Sequence, residues 1–252
     1  MSVTAREELW RPSRWRAGPL GPKLAASHLW AVVVVGVVYN IVSNLFLPGA
    51  AYVPANLALA SGLVWYATRA GVEMEDLGLA HSQVGRGMRL GGVVFVVVGL
   101  AITAAAVIPG TRDAFVDDRV SDASLLAMLY HVLVRIPLGT ALFEEVLFRG
   151  VLLAFLLRRF TVWSAVSVSS ALFGLWHVIP AMIAIDDNAL VGAQTRVVQG
   201  EAVAVVLTVA ITTLAGYGFC WLKLRADSLA APILAHVSTN SVAFAMAWVV
   251  LH

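Results

Sequence analysis

Two adjacent glutamates, Glu144 and Glu145, and an arginine, Arg149, lie within A-L-F-E-E-V-L-F-R-G at positions 141–150, a run otherwise suited to a lipid bilayer. A charged side chain at the bilayer centre costs about 3 kcal/mol on insertion scales, so such residues mark function or obligatory pairing. On a helix, Glu145 and Arg149 stand four apart on one face, with the acid N-terminal to the base, the favourable order for a pair. Glu144 is turned by roughly 100° from them and has no partner in its own helix. One carboxylate neutralises the arginine, and the other is left to serve as a general base on water.

Two further apolar runs carry polar stripes. S-S-A-L-F-G-L-W-H (169–177) places Phe173 and His177 on one helical face, and L-A-A-P-I-L-A-H-V-S-T-N (229–240) does the same for His236 and Asn240. Depth can be counted from the basic residues closing each run, at about 1.5 Å per residue. By that count Glu144 is about 21 Å from Arg158, His177 about 27 Å from Arg159, Asn240 about 22 Å and His236 about 16 Å from Arg225. The four groups share a layer well inside the membrane. A base, two imidazoles and a neutral amide donor are the parts for activating a water and stabilising an oxyanion. No G-x-S-x-G pattern is present, and Ser238 and Ser241 face away from His236, which argues against a serine nucleophile.

The elements that must hold these groups are apolar helices. Of 252 residues, 60% are hydrophobic and 13% charged, with a mean hydropathy of +0.85. Soluble domains carry about 25% charged residues. Long continuous apolar runs, in place of alternating ones, argue against a β-barrel and indicate an all-α, polytopic transmembrane bundle. About seven spans are expected: 29–47, 52–68, 90–108, one within 124–157, 162–179, 202–222 and 228–251. The last four form the catalytic core. Three regions follow: a basic cytoplasmic tail (1–28), N-terminal transmembrane helices (29–122) and the core (123–252). The run 29–47 is too long and begins too late for a secretory signal core. Helix-compatible sequence continues from Ser124 to Leu157, about 51 Å, longer than a bilayer core of about 30 Å, and Pro137 and Gly139 mark the expected break.

Orientation follows from the lysines and arginines. With the N-terminus inside, Arg6, Arg11, Arg14, Arg16, Lys23, Arg69, Arg86, Arg89, Arg158, Arg159, Lys223 and Arg225 are cytoplasmic, against Arg112, Arg119 and Arg196 outside. This places a multi-pass protein in the cell membrane with a cytoplasmic N-terminus. Arg135 is expected to snorkel to an interface, and Asn40 and Asn44 to bond between helices. The acidic stretch 111–122, with Asp113, Asp117, Asp118 and Asp122, lacks the calcium-loop pattern and reads as a solvated loop, as does the segment carrying Asp186, Asp187 and Asn188. The single Cys220 excludes a disulfide framework and reads as a small apolar residue. A nucleic-acid partner is not expected.

E-E-V-L-F-R (144–149), F-G-L-W-H (173–177) and H-V-S-T-N (236–240) resemble the E-E-x-x-x-R, F-x-x-x-H and H-x-x-x-N signatures of the CPBP (Abi) family, which includes the CAAX prenyl endopeptidases. The resemblance covers roughly residues 124–251. It implies an intramembrane endopeptidase without a covalent intermediate, acting on CAAX-type or other membrane-associated substrates. By that resemblance Glu144 with His177 activates the hydrolytic water, and His236 and Asn240 hold the oxyanion. Glu145, Arg149 and Phe173 support the structure. The family implies no cofactor. Zinc on His177, His236 and Glu144 is the competing chemistry, although no H-E-x-x-H is present. A scaffold or immunity protein of the same fold is the other reading. A transporter or proton relay fits less well, since neither internal repeats nor matched broken helices are evident.

Overall fold

The computed structural model describes residues 25–117, 120–185 and 201–252. The basic residues Arg6, Arg11, Arg14, Arg16 and Lys23 lie outside the described residues, as do Asp118, Arg119, Asp186, Asp187, Asn188 and Arg196. Among the described residues the secondary structure is entirely helical. α1 is Ala26–Leu45, α2 Gly49–Arg69, and α3 His81–Val107, preceded by the short turn Met74–Leu77. α4 runs without interruption over residues 125–157, α5 is Val162–Trp176, α6 Val178–Ile185, α7 Glu201–Ala226 and α8 Ala230–Leu251. Two starts follow from local chemistry: Ser124 accepts from the Ala127 N–H, and Thr161 from that of Ser164, each satisfying an otherwise orphaned donor.

α4 is the centre of the bundle. Every residue from Phe143 to Leu157 is buried, so this second half of the helix is enclosed on all faces, as its near-continuous apolar sequence requires. Outer helices turn large apolar side chains outward, among them Val93, Val97 and Leu100 on α3 and Ile211 and Leu214 on α7. Such faces are at home against lipid, where apolar exposure carries no penalty. Small residues let helices approach. A Cβ on Gly91 would lie 2.8 Å from the Ala231 Cα of α8, and one on Gly174 would strike the Thr213 hydroxyl and come within 2.7 Å of the Val209 carbonyl of α7.

Among the described residues, five helices are long and apolar enough to cross a membrane: Ala26–Leu45, Met74–Val107, Val162–Ala184, Glu201–Ala226 and Ala230–Leu251. α2 and α4, which complete the seven spans expected from sequence, are not among them. α2 carries Pro54 and a buried Asn56 in its interior. α4 is assembled from short pieces: α-helical Leu125–Tyr130, Leu142–Glu145 and Leu153–Leu157, separated by π-helical His131–Ala141 and Val146–Leu152. The break expected at Pro137 is therefore a widening. Proline cannot donate in the ladder and its ring crowds the preceding carbonyls, and a wider i→i+5 turn relieves this without ending the helix. Gly139 in the same stretch is pressed against the Tyr52 ring of α2, 3.0 Å from where its Cβ would be.

Several charges expected at the cytoplasmic interface are fastened inside the protein. Arg158 bonds Asp76 at 3.1 Å, and the fully buried Lys223 donates to the Asp76 carbonyl at 2.7 Å. Asp227, with φ 54°, accepts from Gln83 at 3.2 Å and pairs with Arg86 at 3.5 Å. This network ties the ends of α4, α7 and α8 to the segment before α3.

Candidate active site

The two π-helical stretches of α4 flank the turn Leu142–Glu145, so both glutamates project from a short α-helical piece set between wider ones. Their environments differ. Arg149 Nη1 donates to Glu145 Oε1 at 2.9 Å, and both side chains have no exposed surface. His236 Nδ1 stands 2.8 Å from the same oxygen. A carboxylate only accepts, so Nδ1 carries the proton and donates it. The guanidinium is walled by aromatic rings, 4.0 Å from the Phe173 centroid and 5.0 Å from that of Phe219. Phe219 also stacks on His236 at 5.1 Å. Glu145, Arg149 and His236 thus form a closed ionic knot with Phe173 as its lid, in which cation–π contact replaces lost hydration.

Glu144 faces the other way. Trp176 Nε1 donates to its Oε1 at 3.1 Å, while its Oε2 lies 3.8 Å from His236 Nε2, beyond direct hydrogen-bond range. Trp176 is itself held from behind, because Asn40 Nδ2 of α1 donates to the Trp176 carbonyl at 3.1 Å. Asn40 therefore bonds between helices as expected, whereas Asn44 donates within α1 to the Asn40 carbonyl at 2.8 Å.

A cavity of about 720 Å³ opens in front of Glu144. Glu144, His177 and Asn240 all line it, together with Tyr52, Arg135 and Thr140. His177 terminates α5, and its Nδ1 lies 2.7 Å from the Phe173 carbonyl. A carbonyl only accepts, so Nδ1 holds the proton and Nε2 keeps its lone pair. Asn240 sits in the π-helical turn Ser238–Val242, with its Oδ1 accepting from Thr239 at 3.2 Å and its amide NH₂ left as a donor.

His236 and Asn240, four residues apart, differ in their access to the cavity. His236 is 3% exposed and belongs to the knot behind Glu144, while Asn240 is on the cavity wall. His177, His236 and Glu144 do not gather as a ligand set: among the described residues, no group of three or more His, Cys, Asp or Glu is arranged to hold a metal.

Residues 125–242 match the family described as Type II CAAX prenyl endopeptidase Rce1-like. This segment is similar to the Rce1-like family. No curated protein and no solved structure matches the chain. The Rce1-like segment opens on the first residue of α4 and closes on the last residue of the π turn in α8, so it contains every residue of the knot and both histidines and Asn240 of the site. The apolar helices and this match together make the chain a multi-pass membrane protein with a segment similar to a protease family.

Four contributors were not singled out from sequence. Trp176 sits inside F-G-L-W-H, next to a histidine that drew attention away from it. Tyr52, Asn56 and Thr140 reach the cavity from α2 and from the first π stretch. Nothing in their local spacing reports this, since α2 meets α4 only through tertiary packing. Arg135, expected to snorkel, instead lines the cavity with its guanidinium carbon 4.2 Å from the Tyr52 ring centroid.

Proposed function

We propose that this protein is an intramembrane endopeptidase that uses Glu144 to activate a water without a metal, acting on CAAX-type or other membrane-associated peptides from a cell-membrane position with the N-terminus in the cytoplasm. The observation that carries this reading is the division of labour between adjacent glutamates. Glu145 is consumed by Arg149 and His236, and Glu144 is presented to a cavity that also holds His177 Nε2 and the Asn240 amide.

In the proposed reaction, Glu144 and His177 orient a water and take its proton as its oxygen attacks the scissile carbonyl carbon. The carbonyl π electrons move to oxygen, and the Asn240 amide donates to that oxyanion from the cavity wall. His236, tethered through Nδ1 to Glu145, packs behind Glu144 and closes that side of the base from solvent. Collapse of the intermediate breaks the C–N bond, and the proton held by Glu144 passes to the departing amine. A water-filled cavity in the membrane is a precondition, since water does not persist among lipid tails.

A lipid-modified substrate suits the surroundings. Trp176 also lines a second, apolar pocket of about 320 Å³ between α1, α4 and α5, adjoining the catalytic cavity. Its walls are Val, Leu and Ile, suited to a hydrocarbon chain.

The test is hydrolysis of an S-prenylated CAAX peptide by the purified full chain and by Glu144→Gln, with products identified by mass spectrometry. Wild type should release a C-terminal peptide, and Glu144→Gln should remain folded and release none. Activity persisting in Glu144→Gln, or no cleavage by folded wild type, overturns the proposal.

A further inference from the structure

The cavity wall holds two charged groups that the reaction above does not use, the carboxylate of Asp117 and the guanidinium of Arg135. Arg135 lies nine residues before Glu144 on α4 and lines the same cavity. Its guanidinium rests on the Tyr52 ring, 4.2 Å from the centroid. The Tyr52 hydroxyl in turn meets the Thr140 hydroxyl at 3.2 Å, one helical turn before Glu144. Arg86, Arg149 and Arg158 each pair with a carboxylate. Arg135 pairs with none among the described residues. It is half-buried, in a cavity within a membrane bundle, where an uncompensated cation is costly.

We propose that Arg135 is a specificity-determining residue that binds the C-terminal carboxylate of the substrate. This rests on the peptidase reading above. A guanidinium lying on an aromatic face keeps its N–H groups at its edge, where they match the two oxygens of a carboxylate. Tyr52 fixes that orientation in advance, so little is lost on binding. Reach is also consistent. Nine residues along α4 span at most about 13 Å, less where the helix widens. A peptide advancing about 3.3 Å per residue bridges that gap with three to four residues. One short extended segment can therefore touch Glu144 with its scissile carbonyl and Arg135 with its terminus. Such an anchor admits chain ends and rejects internal loops, whose backbone carries no charge there.

The test compares one S-prenylated CAAX peptide as free acid and as C-terminal amide. Binding is read by fluorescence anisotropy on the full chain carrying Glu144→Gln, so that no turnover intervenes. The acid should bind about tenfold or more tightly than the amide, as a charge-assisted bidentate contact implies. Adding Arg135→Gln should weaken the acid to the level of the amide while leaving amide binding unchanged, which also shows that the variant is folded. Arg135→Lys should restore part of the preference, having the charge without the fork. In turnover by the chain with Glu144 intact, Arg135→Gln should raise KM for the acid with kcat retained. Equal binding of acid and amide, or a preference that survives Arg135→Gln, overturns the assignment. So does an effect of Arg135→Gln that appears only when anionic lipid replaces zwitterionic lipid, which would assign the guanidinium to a headgroup phosphate. Failure of wild type to cleave while the acid preference persists would sink the peptidase and leave Arg135 as a carboxylate site.

Discussion

Glu144 and Glu145 are neighbours in the chain and opposites in the structure. Glu145 has no exposed surface, and one of its oxygens receives both Arg149 and His236. Glu144 receives a single indole N–H and borders a 720 Å³ cavity. The pairing that makes Glu145 affordable inside a membrane also removes it from chemistry, because a carboxylate locked between two donors is a poor acceptor for a third. The contrast teaches that a charge in hydrocarbon is architectural when its partners close around it and reactive when one side is left open.

The comparison can be broken in four ways. The largest expected effect is on rate: Glu144→Gln should lower turnover by about 10²–10⁴-fold, the usual worth of a general base, with no loss of folded protein. Glutamine still offers an oxygen to Trp176, so the fold has no reason to change. Glu145→Gln and Arg149→Met should do the reverse. Each strands a buried charge at about 3–5 kcal/mol, and the yield of monodisperse protein in detergent should fall before kinetics can be measured. If Glu145→Gln folds normally and loses only activity, the division between the two glutamates is wrong.

A smaller effect sharpens the open side. Trp176→Phe keeps the ring and removes only the donor to Glu144. A hydrogen bond to a charged group is worth about 1.5–3 kcal/mol, so kcat should fall by about ten- to a hundredfold with thermal stability nearly unchanged. An equal loss of stability would place Trp176 with the architecture. The smallest expected effect is none at all: exhaustive chelation should leave peptide hydrolysis intact, and activity lost on chelation and restored by zinc would replace the glutamate mechanism with a metal one.

Much of this was legible in order along the chain. The helical class follows from continuous apolar runs, and the Glu145–Arg149 pair from four-residue spacing, both local properties. The common layer of Glu144, His177 and Asn240 was readable from depth, because the membrane imposes one axis on every span. Spacing misled where the helix departs from α geometry. Pro137 lies in a π-helical stretch, so the helix continues where a break was expected. Trp176, Tyr52 and Arg135 could not be placed, since each acquires its role from a helix distant in sequence.

Residue types, their helical period and the cost of charge in lipid were enough to single out the Glu145–Arg149 pair and to set Glu144 apart from it. Which faces meet is a different matter. The contact of α1 with Trp176, of α2 with Arg135 and of α8 with Glu145 depends on how helices rotate to bury one another's small and aromatic residues. Rotation is set by packing between segments far apart in sequence, so only the folded bundle decided which glutamate was enclosed and which was left facing the cavity.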